Sequence, residues 1–253
     1  MADDHAPRLR VATYNVHGCI GMDRVRSEKR IAEVIASLEA DLVGLQELDL
    51  GRVRSAGVDQ AALIAAQLGW ERIFLPAMRR ADEQYGNAIL SRYPLRLERA
   101  VELPGTGSWY CRETRVALWA VAQTDFGNVH VLNTHFGLGR AERFAQARFL
   151  AAAVGAAPMG EPLLLLGDFN SLPTSRSIAQ LRVQLRSVRA LLPQSGLCRT
   201  FPTRLPSVAV DHIFVNAFFD AKMLSVNRTP LARVASDHYP LVAELMQCRG
   251  RIG

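Results

Sequence analysis

The apolar positions of this chain change period several times, and those changes divide it into strands and helices. Residues 9–16 alternate apolar and polar, the pattern of a half-buried strand. Ser27 then stands as a helix cap ahead of Ile31, Val34, Ile35 and Leu38, spaced i, i+3, i+4, i+7. Residues 41–46 return to strand and end at Glu47, before a charged loop over 49–54. Asp59 caps a second amphipathic helix with Ala61, Ile64, Ala65 and Leu68 on one face, and Gly69 stops it. Strands are predicted over 71–75, 86–91 and 95–103, then a loop over 104–111. Residues 115–123 and 128–134 predict an antiparallel pair around the turn 125–128, ending at His135. A helix over 139–154 would carry Ala141, Ala145, Phe149 and Ala152 as its apolar stripe. Four consecutive leucines, 163–166, predict a strand buried on both faces and halted at Gly167. A short helix near 175–181, a loop holding Thr200, Phe201 and Pro202, and strands over 208–215 and 239–246 complete the chain.

Strands and helices interleaved in this way argue for an α/β fold with one or two sheets covered by helices. Without a linker, repeat or low-complexity tract, residues 8–248 read as a single domain flanked by tails at 1–7 and 249–253. A chain 49% hydrophobic and 21% charged has the composition of a soluble globular protein, and a monomer is expected. Its start has no apolar core of a leader and no later stretch is long enough for a transmembrane segment. Cys19, Cys111, Cys198 and Cys248 lack metal-type spacing, which suits reduced thiols in a cytoplasmic protein. The net charge of +6 permits an anionic partner such as nucleic acid. Only Lys29 and Lys222 among the 30 basic residues are lysines, however, so a GC-rich coding sequence explains the arginines equally well.

Candidate chemistry gathers at strand ends. In 163–171, LLLLGDFNS, an extended backbone sends Asp168 and Asn170 one way and Phe169 into the core. A carboxylate and a carboxamide together suit a hard cation and a phosphate oxygen, but Gly, Asp, Asn and Ser are also ordinary turn residues. Asn15, Glu47, His135 and the pair Asp237-His238 lie at other strand ends, and Asp211 interrupts the apolar run VAVDHIFV. Taken singly, each of these is an ordinary loop or structural residue.

Taken in order, the blocks YNVHG (Asn15), GLQELD (Glu47), GNAILSRYP (86–94), NTHFG (His135), GDFNS, VDHIFV (Asp211) and SDHYPL resemble the endonuclease/exonuclease/phosphatase superfamily over nearly the whole chain. The resemblance implies a four-layer α/β sandwich, with two mixed sheets packed face to face and helices outside. It also implies hydrolysis of phosphate esters with Mg²⁺ or Mn²⁺. Glu47 matches the family's metal carboxylate, Asn15 would bind or position the ion, and Asp237 would be a further ligand, directly or through water. His238 matches the general base, with Asp211 orienting it, and Asp168 would orient the attacking water or help hold metal. Asn170 and His135 would donate to phosphoryl oxygens, a duty for which Arg115 is a weaker candidate. His17 stands where some nuclease branches have aspartate, and it either contacts phosphate or fills space.

The superfamily spans several substrates, so the fold alone does not choose one. The basic balance and the loop residues Trp109, Tyr110 and Arg112, which could stack on a base or follow a backbone, favour a phosphodiesterase on nucleic acid. A phospholipid, inositol phosphate or other small phosphoester is the alternative. A catalytically silent binding module ranks below both, because Glu47, Asp168, Asn170, Asp237 and His238 are all present.

Overall fold

The computed structural model describes residues 7–105, 113–157 and 160–248. Two six-stranded sheets form among them. The first joins, edge to edge, β11 (Phe219–Val226), β12 (Leu241–Gln247), β1 (Arg8–Asn15), β2 (Leu42–Leu50), β4 (Glu83–Ser91) and β3 (Glu71–Arg80). The second joins β5 (Leu95–Leu103), β6 (Arg115–Thr124), β7 (Gly127–His135), β8 (Leu163–Asp168), β10 (Asp211–Val215) and β9 (Arg186–Ser187). One neighbouring pair in each sheet is parallel, β1 with β2 and β7 with β8, and the other pairs are antiparallel.

Strand alternation builds the layers. Leu9 and Val11 of β1 pack into the core between the sheets, while Ala12 and Tyr14 turn to the helices α1 (Glu28–Ser37) and α2 (Gln60–Leu68). On β8, Leu164 and Leu166 face the other sheet. Leu163 and Leu165 face α3 (Arg140–Gly155) and α4 (Arg176–Leu181). The leucine run is thus buried on both sides, each side chain contributing about 1.5–3 kcal/mol. The short α5 (Val188–Leu191) follows β9, and α6 (Pro230–Ala235) joins the α1 side. The result is the four-layer α/β sandwich. No helix among the described residues is long and apolar enough to cross a membrane.

Caps define the helices locally. The Ser27 hydroxyl accepts from the Arg30 N–H at 3.1 Å and Asp59 accepts from the Ala62 N–H at 2.9 Å, as the sequence expects. Other expectations need correction. Strand β2 does not stop at Glu47 but continues to Leu50, because Asp49 is buried and held by Arg54 through two 2.7 Å contacts. Strands β3 and β4 extend into one long hairpin, and β11 and α6 had no clear sequence pattern. The apolar stripe of α3 also lies elsewhere: Glu142, Gln146, Ala147, Leu150 and Val154 are buried, whereas Phe149 is 46% exposed. The reason is polar. Glu142 accepts from the Gly139 N–H and Gln146 from the Gly137 N–H, so the helix rolls toward the loop it caps.

Candidate active site

Backbone pairing alone lines up three of the candidate residues. In the β7–β8 register His135 lies opposite Asp168, and in the β8–β10 register Asp168 lies opposite Asp211. Gly167 permits this, since a Cβ there would sit 2.0 Å from the Thr134 carbonyl oxygen of β7. In the other sheet, β1 and β2 pair with Asn15 opposite Gln46, which places Glu47 next along the rim. Glu47 has φ +65° and sits in a β-bulge, where the β2–β4 register slips between Leu45 and Leu48. The β3–β4 register slips nearby, and both irregularities border Gly86, whose missing side chain leaves room for the Leu75 carbonyl. The bulge separates two jobs. Gln46 reaches between the sheets to Asn133 at 2.7 Å, while Glu47 reaches Asn15.

The outer half of the site holds Asn15, His17, Glu47 and Asp237. The Asn15 amide nitrogen donates to Glu47 at 2.8 Å and to Asp168 at 3.1 Å, while its oxygen accepts from the His17 N–H. The His17 Nδ1 lies 3.7 Å from a Glu47 oxygen and 3.6 Å from an Asp237 oxygen. About a quarter of each of these carboxylate side chains is exposed.

The inner half is closed to solvent. Asp211 Oδ2 lies 3.0 Å from His238 Nδ1 and also accepts from the Thr200 hydroxyl. The Phe201 ring packs on the His238 imidazole at 4.7 Å, and His238 Nε2 lies 3.7 Å from Asp168 Oδ2. Burial works against the imidazolium, but Asp211 and Asp168 outweigh it and push the His238 pKa up to about 10. Burial raises the Asp168 pKa to about 6, with His238 opposing and Asp211 adding to the rise. His135 goes the other way: burial, then Arg115 and His238, hold it well below the ordinary range, so it is neutral. Its Nε2 is 3.1 Å from the Asn170 amide nitrogen, which also donates to the Phe136 carbonyl at 2.8 Å. Arg115 borders this cluster, with its guanidinium tied to Glu113 at 2.8 Å.

The fold therefore brings together Asn15, His17, Glu47, His135, Asp168, Asn170, Asp211, Asp237 and His238, with Arg115 at the edge. Trp109, Tyr110 and Arg112 lie outside the described residues. Other contributors were not legible. The Ser236 hydroxyl donates to the Asn15 carbonyl at 2.8 Å and receives the His238 N–H, tying the two halves together. Gln60 accepts from the Asp49 N–H and donates to the Gly18 carbonyl and to Glu28. Only the position of Ser236 inside the block SDHYPL hinted at its role.

Among the described residues, two places around the site offer acidic ligands to a cation. Asp168, Asp211 and His238 present ligand atoms within 4.8 Å of one another, but all three are buried. The Asp211–His238 contact there is already a hydrogen bond, so that place suits a proton better than a hydrated ion. Mg²⁺ keeps waters and needs hard oxygen ligands, which fits the partly exposed carboxylates of Glu47 and Asp237.

Residues 12–238 match the model of the Endonuclease/Exonuclease/phosphatase family, and the chain belongs to that family. It is a phosphoesterase family whose members generally depend on divalent metal. The chain is 30% identical to the uncharacterized protein YbhP of Escherichia coli strain K12, over 94% of this chain and 96% of that protein. It is 27% identical to the inositol phosphosphingolipids phospholipase C of Schizosaccharomyces pombe, over 69% of this chain and 44% of that protein. Its fold is similar to the endonuclease/exonuclease/phosphatase from Beutenbergia cavernae, with TM-score 0.79 and 22% identity over 97% of this chain and 73% of the other.

Proposed function

We propose that the protein is a divalent-metal-dependent phosphodiesterase in which an activated water attacks phosphorus in line, with nucleic acid as its leading substrate. The observation that carries this reading is the row His135–Asp168–Asp211 with His238, set against the carboxylates of Glu47 and Asp237. Glu47 and Asp237 would hold Mg²⁺ or Mn²⁺, and Asn15 fixes Glu47 through its 2.8 Å bond. Held there, such an ion would offer positive charge to a phosphoryl oxygen. His238, an imidazolium in the metal-free protein, would take the proton of the attacking water in its neutral form, with Asp211 setting the tautomer of that form by accepting the Nδ1–H. Asp168 and neutral His135 line the same centre, 3.6 Å apart, with Asn170 beside them.

The net charge of +6 supports the nucleic-acid reading. The likeness to a phospholipase C supports the second reading, a phosphodiester in a lipid or inositol headgroup. Parallel incubation with supercoiled plasmid, single-stranded oligonucleotide, glycerophospholipid and inositol phosphates, each with Mg²⁺, Mn²⁺ or EDTA, separates them. Cleavage of either nucleic acid that EDTA abolishes is expected. Turnover of the lipid or inositol substrates alone would exchange the two readings, and inertness toward all four would remove the hydrolase assignment.

A further inference from the structure

Beside the inner half of the site lies a groove of about 900 Å³ between the first turns of α3 and α4, floored by the turn that follows β8. It is large enough for a nucleotide-sized group rather than one phosphate. Arg140 and Arg143 stand on its α3 side and Arg176 on its α4 side, with half-buried Phe144 between them. Arg140 and Arg176 are exposed and have no acidic partner among the described residues. The acid of the first turn of α3, Glu142, is buried and engaged with the Gly139 N–H and Gln146, so it makes no ion pair with Arg140 or Arg176.

Two further residues connect the groove to the chemistry. Asn170 lines it and is also 3.1 Å from His135 of the catalytic row. Ser171 lines it too, is 2% exposed, and its hydroxyl has no hydrogen-bond partner. A buried hydroxyl left without a partner costs about 1–3 kcal/mol unless something answers it. Arg115, the described arginine at the edge of the catalytic centre, is by contrast already tied to Glu113.

We propose that this groove is a second-anion subsite of the active site, taking a phosphate of the substrate other than the one cleaved. The proposal rests on the hydrolase reading above and narrows its substrate to one carrying at least two phosphates. The guanidiniums of Arg140 and Arg176 bind the second phosphate from opposite walls, and Ser171 adds a neutral donor. Phe144 packs against the unit that carries it.

Two substrate pairs read this directly. One is a dinucleotide with and without a terminal phosphate; the other is glycerophosphoinositol with and without a ring phosphate. In at least one pair, wild-type kcat/KM should be about tenfold or more higher when the second phosphate is present, the usual worth of a charged hydrogen bond. Arg140→Ala with Arg176→Ala should erase that preference, and Arg140→Lys with Arg176→Lys should restore part of it. The pair that responds identifies the source of the phosphate. A wild type indifferent to the second phosphate in both pairs, or a preference that survives the double alanine variant, would overturn the subsite. If none of the four substrates is cleaved with Mg²⁺ or Mn²⁺, the hydrolase reading fails separately. The groove is then judged by binding of a fluorescent 5′-phosphorylated oligonucleotide in EDTA. Tenfold weaker binding by the double alanine variant upholds it, and unchanged binding rejects it.

Discussion

The two halves of the site use the same residue types in opposite physical states. Around His17, the Glu47 and Asp237 carboxylates keep about a quarter of their surface in water. Around His238, Asp168 and Asp211 are buried to the last percent or so. A histidine between carboxylates in the open half can be displaced by an incoming cation. The same trio in the closed half is locked into a buried cluster, because burial forces carboxylate and imidazole to satisfy one another. Burial thus divides labour among chemically identical groups. Asn15 spans the divide, with one amide nitrogen on Glu47 and on Asp168.

The strongest break of this contrast is chemical. His238→Ala should lower kcat by about 10²–10⁴-fold at saturating metal, the usual worth of a positioned proton-transfer group, with KM much less affected. Retention of near-wild-type kcat would move the proton transfer elsewhere, first to Asp168.

Stability should show the contrast next. Asp211→Ala leaves the His238 imidazolium without its buried partner and should destabilise the metal-free protein by about 3–5 kcal/mol in urea unfolding. Glu47→Gln, in the open half, should stay within about 0.5 kcal/mol of wild type. Equal losses from both would mean that the outer carboxylates are as structural as the inner ones.

Metal affinity should behave in the reverse order. Asn15→Ala removes the donor that fixes Glu47 and should raise the Mg²⁺ concentration for half-maximal activity by about 10–100-fold. An unaltered Mg²⁺ titration would place the ion away from Glu47.

A further test concerns pH. The folded His238 pKa of about 10 exceeds the ordinary value of about 6.5, so its pairing adds stability that is fully present below 6.5. That stability is lost as pH rises through about 10. Urea midpoints of the metal-free protein should therefore fall between pH 7 and pH 10.5, and the fall should shrink in Asp211→Asn. A cation at Glu47 and Asp237 opposes the imidazolium and should move the transition to lower pH.

Much of this molecule could be read along the chain. The leucine run 163–166, the alternation of 9–16 and the caps Ser27 and Asp59 are local signals, and local signals suffice where one strand or helix buries its own apolar pattern. The family blocks also named the residues that meet at the rim, since Asn15, His135, Asp168 and Asp211 each stand at one end of their strand.

Other features depended on partners far away in sequence. Asp49 looks like a loop residue until Arg54 and Gln60 close around it, and the Phe149 stripe looks like core until Glu142 and Gln146 claim the inner face of α3. The bulge that presents Glu47 exists only because β4 brings Gly86 alongside. By itself the sequence determined most of the strands and helices, with β11, α6 and the true end of β2 excepted, because hydrophobic period and caps act over a few neighbouring residues. Tertiary structure alone decided which carboxylates stay in water and which share a buried proton. Desolvation and pairing depend on distances between β7, β8 and β10 and the turn before β12, and no local pattern encodes those distances.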